Sequence, residues 1–138
     1  MTAGDLNALK GLADKFLTEM DKAKTTAEAC LNEVKELNSK IARIISDFLD
    51  IFGLNECSFA VGKATVKLMR TIYDSLGYHI YYNNTCIFST STPVLTLMYS
   101  DTIASVLTIA VKYASQQAQF MKKGLERAKR VLGSVEKS

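Results

Sequence analysis

The sequence predicts a mainly α fold, an elongated helical hairpin or bundle with two long amphipathic helices, one shorter helix and a small β-hairpin. Three observations lead to this prediction. Apolar residues follow a heptad-like spacing over 6–51, a second apolar stripe covers 103–135, and aromatic, β-branched tracts flank Asn83-Asn84. The chain has 138 residues, 48% of them hydrophobic, which is enough for one domain with a real core. We therefore predict a single helical domain over 1–138.

The first long helix is predicted over about residues 4–52. Uncharged apolar or small residues recur at alternating steps of three and four, which keeps them on one helix face. Thr25-x-x-Glu28 matches a capping box that would divide the helix. The spacing nevertheless passes through it in phase, which favours one continuous helix, and Gly53 is a natural end. The stripe consists of Leu6, Leu9, Ala13, Phe16, Met20, Ala23, Ala27, Cys30, Val34, Leu37, Ile41, Ile44, Phe48 and Ile51.

The apolar face of this helix is wider than one partner helix can cover. Leu12, Leu17, Leu31, Ile45 and Phe52 extend it on its flanks, which is typical of a helix with several neighbours. A hairpin of two helices buries only one side of each stripe. We therefore predict a homo-oligomer in which Leu17, Leu31, Ile45 and Phe52 contact a second copy.

A shorter helix is predicted over about 58–76, ending at Gly77. Apolar residues form an i, i+4 row within it, and three basic residues form a ridge that we interpret as solvated. The apolar row is Ala64, Leu68, Ile72 and Leu76, and the ridge is Lys63, Lys67 and Arg70.

A β-hairpin is predicted over about 78–90, with its turn at Asn83-Asn84, because Asn tolerates the positive φ of a two-residue turn. Successive strand residues point to opposite faces. Tyr78, Ile80 and Tyr82 are therefore expected on the core face, with His79 and Tyr81 on the other. We predict that Tyr81 contacts a partner.

The second long helix is predicted over about 93–135. Thr92 is the expected N-cap and Pro93 the first helical residue, although Ser100-Asp101 offers a restart at residue 101. The stripe consists of Ile103, Leu107, Ala110, Ala114, Ala118, Met121, Leu125, Ala128, Leu132 and Val135.

Charge and size favour an antiparallel arrangement of the two long helices. Residues 1–57 carry 7 basic and 10 acidic side chains, whereas residues 112–138 carry 7 and 2, so opposite charges would run together. Large residues would face small or apolar ones at each level. The predicted pairs are Leu9–Val135, Leu12–Leu132, Phe16–Ala128, Cys30–Ala114, Leu37–Leu107 and Ile41–Ile103.

The residues needed for most catalytic and metal chemistry are scarce. The chain has one His and three Cys, without a zinc spacing, a phosphate loop or a nucleophile–base pattern. We therefore predict no enzyme, no cofactor, no metal and no small-molecule substrate, and interpret His79 as a packed or surface residue. The cysteines are read as small buried hydrophobes, and without a signal peptide we expect an intracellular, reducing compartment.

The leading functional prediction is a non-catalytic structural or assembly subunit, of the coat, scaffold or adaptor type, that self-associates through its long helices. One alternative is a nucleic-acid-binding or nucleocapsid-type protein that contacts polyanions through a basic cluster. That cluster is Lys122, Lys123, Arg127, Lys129 and Arg130. A second alternative is a membrane-associated subunit using 93–111, although Asp101 and several hydroxyl side chains make a membrane partner unfavourable.

Overall fold

The computed structural model describes residues 2–71 and 77–137. Two long helices, one short helix and four strands follow one another along the chain, and 71% of these residues are helical. The elements are α1 (Ala3–Phe52), β1 (Glu56–Val61), β2 (Ala64–Thr71), β3 (Gly77–Tyr82), β4 (Thr85–Ser89), α2 (Val94–Met98) and α3 (Ser100–Lys137).

Helix α1 is continuous, as the unbroken spacing predicted. Thr25 does not cap a second helix, because its hydroxyl donates to the Asp21 carbonyl one turn earlier at 2.9 Å. The cap lies instead at Thr2, whose hydroxyl accepts from the Asp5 amide at 3.2 Å while the Asp5 carboxylate accepts from the Thr2 amide at 3.1 Å. The helix ends where predicted, since Gly53 has a φ of 68°.

The predicted helix over 58–76 is wrong as far as residue 71, and residues 72–76 lie outside the described residues. This segment forms β1 and β2, joined by a two-residue turn in which Gly62 has a φ of 60°. A positive φ is costly for residues other than Gly and stops a helix. The basic ridge is also wrong, because Lys67 and Arg70 are three residues apart in a strand and therefore point to opposite faces.

The predicted β-hairpin is present as β3 and β4. Asn83 and Asn84 adopt φ values of 48° and 68°, as a two-residue hairpin turn requires. The Asn83 side chain also accepts a hydrogen bond from the Thr65 amide at 2.9 Å, which joins this hairpin to the preceding one. The four strands form one antiparallel sheet in the order β1-β2-β3-β4.

The prediction of an all-α hairpin or bundle of two long helices is wrong. The sheet supplies the surface on which the apolar residues near the end of α1 and the start of α3 are buried. Predicted facing residues at the far levels lie outside the core, since Leu9 is 55% and Val135 is 66% exposed. The core contains Ile41, Ile45, Phe48 and Leu49 of α1, Val66, Leu68, Ile80, Ile87 and Phe88 of the sheet, and Ile103, Val106 and Ala110 of α3.

The predicted second long helix over 93–135 is present from residue 100 onwards, but it is interrupted near its start. Helix α2 ends at Met98, its C-cap Tyr99 has φ and ψ of −120° and 25°, and α3 begins at Ser100. The restart expected at residue 101 is therefore close to the observed one. Thr92 is not the cap, because Pro93 occupies that position and no side chain caps the helix.

The chain divides into two units, Met1–Glu36 and Leu37–Ser138. In the described part of the first unit, α1 is the single element. The second unit holds the end of α1, the sheet, α2 and α3, and it contains the whole core cluster.

Candidate interaction surface

The first 31 residues of α1 contribute nothing to the core. Every side chain from Ala3 to Glu33 is exposed, and Val34 is the first buried residue of the helix. Large apolar side chains are among the exposed ones, with Phe16 at 56% and Met20 at 65%. Their spacing places them along one helix face. We call this face the α1 stripe, and it consists of Leu6, Leu9, Leu12, Phe16, Leu17 and Met20.

The far half of α3 shows the same property. Beyond Ala110 no described side chain of the helix is buried, and Phe120 is 72% exposed. We call the apolar face of this half the α3 stripe. It consists of Phe120, Met121, Leu125, Leu132 and Val135.

Among the grooves on the second unit, one lies on each side of Phe48. The aromatic groove, of about 400 Å³, separates β1 from α3. Its rings are in contact, with centroids 5.7 Å apart for Phe48 and Phe59 and 5.6 Å apart for Phe59 and Tyr113. The other groove, of about 320 Å³, lies between the end of α1 and α3, where Ala110, Ala114 and Ala118 leave space.

The four helical residues predicted to contact a partner occupy different environments. Leu17 and Leu31 are 62% and 41% exposed, which leaves them accessible to a second chain. Ile45 is fully buried in the core and is therefore not accessible. Phe52 is half-buried against Phe48, with ring centroids 4.8 Å apart.

Tyr81 lies on the sheet face away from the core, as the alternation of β3 predicted. Its ring stacks on His79 with centroids 6.2 Å apart, and Lys67 Nζ lies 5.7 Å from its centroid. On the other face, Tyr78 and Tyr82 pack against the core. His79 is thus part of a packed aromatic pair, and its Nδ1 is buried without a hydrogen-bond partner among the described residues.

All five residues of the predicted basic cluster are exposed on α3. Lys123, Arg127 and Arg130 follow i, i+4, i+7 spacing and share one helix face. Within residues 2–71 and 77–137, none of the five forms an ion pair.

The three cysteines differ in exposure. Cys30 is exposed, which corrects the expectation that all three are buried, while Cys57 and Cys86 are half-buried. Burial raises the pKa of both the Cys57 and the Cys86 thiol, which disfavours the nucleophilic thiolate. Among the described residues, no group of three His, Cys, Asp or Glu side chains is placed to hold a metal ion.

The described residues thus present an exposed apolar helix face on each unit, and grooves and a basic helix face on the second unit. The chain matches no protein-family model, no curated protein and no solved structure. Within the described ranges, no helix has both the length and the apolar character to cross a membrane. The segment 93–111 is divided between α2 and α3, and Ile103, Val106 and Ala110 pack in the core.

One buried polar contact was not foreseen. Asn38 lies beside the apolar spacing of α1, and Thr96 lies within the otherwise apolar segment 94–98. Their side chains are 4% and 3% exposed and hydrogen-bond each other. The signal available in the sequence was weak, namely a polar residue one position from the apolar stripe.

Proposed function

We propose that this protein is a non-catalytic assembly subunit that self-associates through the α1 stripe and the α3 stripe. The observation that carries the proposal is the exposure of the α1 stripe over a segment that buries no side chain before Val34. Isolated helices are marginal in water, and amphipathic ones gain most of their stability from packing of the apolar face. Contiguous apolar surface of this kind marks an interface.

Charge supports a second copy as the occupant. Residues 1–57 carry an excess of acidic side chains and residues 112–138 an excess of basic ones. An α1 stripe of one copy can therefore meet the α3 stripe of another with opposite charges along the rims, which favours encounter and orientation. The three cysteines are free, which supports a reducing compartment for the assembly.

Sedimentation velocity of the full chain tests this proposal. We expect an oligomer at micromolar concentration, and we expect Phe16→Glu to lower its mass because a charge is placed in the centre of the α1 stripe. Thr18→Glu is the matched control, since residue 18 lies on the opposite side of the helix from residue 16. A monomeric wild-type protein, or equal effects of the two substitutions, would overturn the proposal.

A nucleic-acid partner is the second candidate, supported by the exposed basic cluster on α3, whose side chains lack acidic neighbours within ion-pair distance in the described residues. Such a surface would contact phosphates without reading bases, so binding to any duplex would weaken steeply with salt. Arg127→Glu should weaken binding of an arbitrary duplex and reduce the dependence of binding on salt. A wild-type chain that leaves duplex mobility unchanged at low salt would rule out this candidate.

A further inference from the structure

We propose that the edge strand β1 pairs with β1 of a second copy, antiparallel about a twofold axis, and joins two four-stranded sheets into one of eight strands. This inference rests on the proposed self-association and adds a second contact to it, in the sheet.

Along β1, the backbone N–H and C=O groups of successive residues point alternately towards β2 and towards the open edge of the sheet. The Arg70 amide donates to the Asn55 carbonyl at 2.8 Å. Asn55 and Arg70 are therefore a hydrogen-bonded pair at the end of the antiparallel ladder between β1 and β2. In an antiparallel pair, every second residue bonds across to the same neighbour. Residues 57, 59 and 61 therefore face β2, and the N–H and C=O groups of Glu56, Ser58 and Ala60 point away from it.

The two edges of the sheet differ in their protection. Helix α3 contacts both edge strands, but α2 packs against β4 alone, and the register on the β4 side shifts between Ile80 and Tyr81. Exposed edges are commonly blunted by Lys, Pro or a bulge. Strand β1, with the sequence Glu-Cys-Ser-Phe-Ala-Val, has no Lys, Pro or bulge, and its single charged residue, Glu56, stands at the first position of the strand. Its register with β2 is regular over all six residues.

The outward-pointing residues define one symmetric register. Ser58 lies midway between Glu56 and Ala60, so pairing of Ser58 with Ser58 of the second copy places each Glu56 opposite an Ala60. This register engages every outward N–H and C=O of both strands. It also places the two Glu56 carboxylates at opposite ends of the paired strands, each towards the turn of the other copy that holds Lys63. No like charges therefore face each other.

The aromatic groove gives the pairing a side-chain component. In this register Phe59 of the second copy lies directly opposite Cys57, on the core face. Cys57, Ser58 and Phe59 all line the groove, so the groove reaches the strand edge. The incoming ring would join the cluster of Phe48, Phe59 and Tyr113, and burying it supplies the apolar area that a two-stranded contact lacks.

Charge complementation at Ser58 tests the pairing in the full chain. We expect Ser58→Lys and Ser58→Glu each to halve the mass of the assembly in sedimentation velocity, with a dissociation constant raised about tenfold, because like charges then face each other. Co-expression of the two variants should restore the wild-type mass. Thr65→Lys, on the same sheet face but in β2, is the control and should leave the mass unchanged.

A disulfide gives a second measurement that does not depend on loss of assembly. The two Ser58 positions would be a hydrogen-bonded pair with Cα atoms about 5.5 Å apart, within disulfide range. Ser58→Cys should therefore form a covalent dimer on mild oxidation, and Thr65→Cys should not. Circular dichroism of each variant checks that it is folded.

The outcomes separate this inference from the proposed function. If both charged variants keep the wild-type mass while Phe16→Glu lowers it, the edge pairing is overturned and the helical assembly stands. If the charged variants lose mass and their co-expression does not restore it, the edge pairing is also overturned. A monomeric wild-type chain without a Ser58→Cys dimer overturns both.

Discussion

Arg70 Nη2 lies 2.8 Å from Asp50 Oδ1 and so connects strand β2 to the end of α1. The same nitrogen donates to the carbonyl oxygen and the hydroxyl of Ser46 at 3.2 and 3.3 Å. The Arg70 guanidinium also lies 5.7 Å from the ring centroid of Tyr78. The hydrogen bond to Asp50 raises the pKa of Arg70 and so favours the charged form of the guanidinium.

Arg70→Ala is expected to lower the free energy of unfolding by about 2 kcal/mol, because charge-assisted hydrogen bonds are lost at a side chain that is 18% exposed. Asp50→Asn should cost less than about 1 kcal/mol, because Asp50 is 62% exposed and water screens the pair. Urea denaturation of both variants measures the difference. Equal losses would show that the ion pair, and not the contact with Ser46, dominates.

A buried polar pair offers a sharper test of packing. Thr96 Oγ1 donates to Asn38 Oδ1 at 2.5 Å, and Asn38 Nδ2 is buried with no partner among the described residues. Thr96→Val should destabilise the fold by about 1–3 kcal/mol, because it leaves the Asn38 carbonyl unpaired as well. Adding Asn38→Leu should recover most of that loss, since both polar groups are then removed.

Chemical denaturation of the two single variants and the double variant gives the coupling energy of this pair. We expect compensation, so the free energy of unfolding of the double variant should be closer to that of wild type than the value for Thr96→Val is. Losses that simply add would mean that Asn38 and Thr96 do not depend on each other.

The sequence predicted α1 well because its evidence is local. Fourteen positions in phase agree on one helix, and the chain around Thr25 has no reason to leave it. The apolar spacing over residues 6–51 did not reveal which of the apolar residues of α1 are buried. Ile45 and Leu17 both lie on its flanks, and only the sheet, built from residues beyond 55, distinguishes them.

The error over 58–76 arose because two periods fit the same residues. Ala64, Leu68 and Ile72 match a helical row, while Ala64, Val66 and Leu68 match a strand. The deciding signal was Gly62, which a hairpin turn needs at positive φ and which a helix only tolerates. The pairing of Leu68 with Ile80 then completes the sheet, and such a contact is not visible in a local window.

The two tyrosines at the end of β3 should respond differently to truncation. Tyr82→Ala should lower the free energy of unfolding by about 2 kcal/mol, because the half-buried ring packs against the core. Tyr81→Ala should change stability little, because its ring lies on the outer face with His79 and Lys67. Thermal melting compares the stability of the two variants, and sedimentation compares their assembly. Loss of assembly in Tyr81→Ala alone would support the predicted partner contact.

Substitutions at Ile45 and Leu17 should distinguish a core residue from a residue of the proposed interface. Ile45 is 0% exposed, so Ile45→Ala should lower the free energy of unfolding by about 2–5 kcal/mol through lost contacts and a residual cavity. Leu17 is 62% exposed, so Leu17→Ala should leave a monomer's stability within about 0.5 kcal/mol of wild type. If the α1 stripe is buried between copies, the loss for Leu17→Ala should increase with protein concentration, because association stabilises only the assembled state. Urea denaturation at two concentrations a hundredfold apart measures this, and a concentration-independent Leu17→Ala effect would place Leu17 outside the interface.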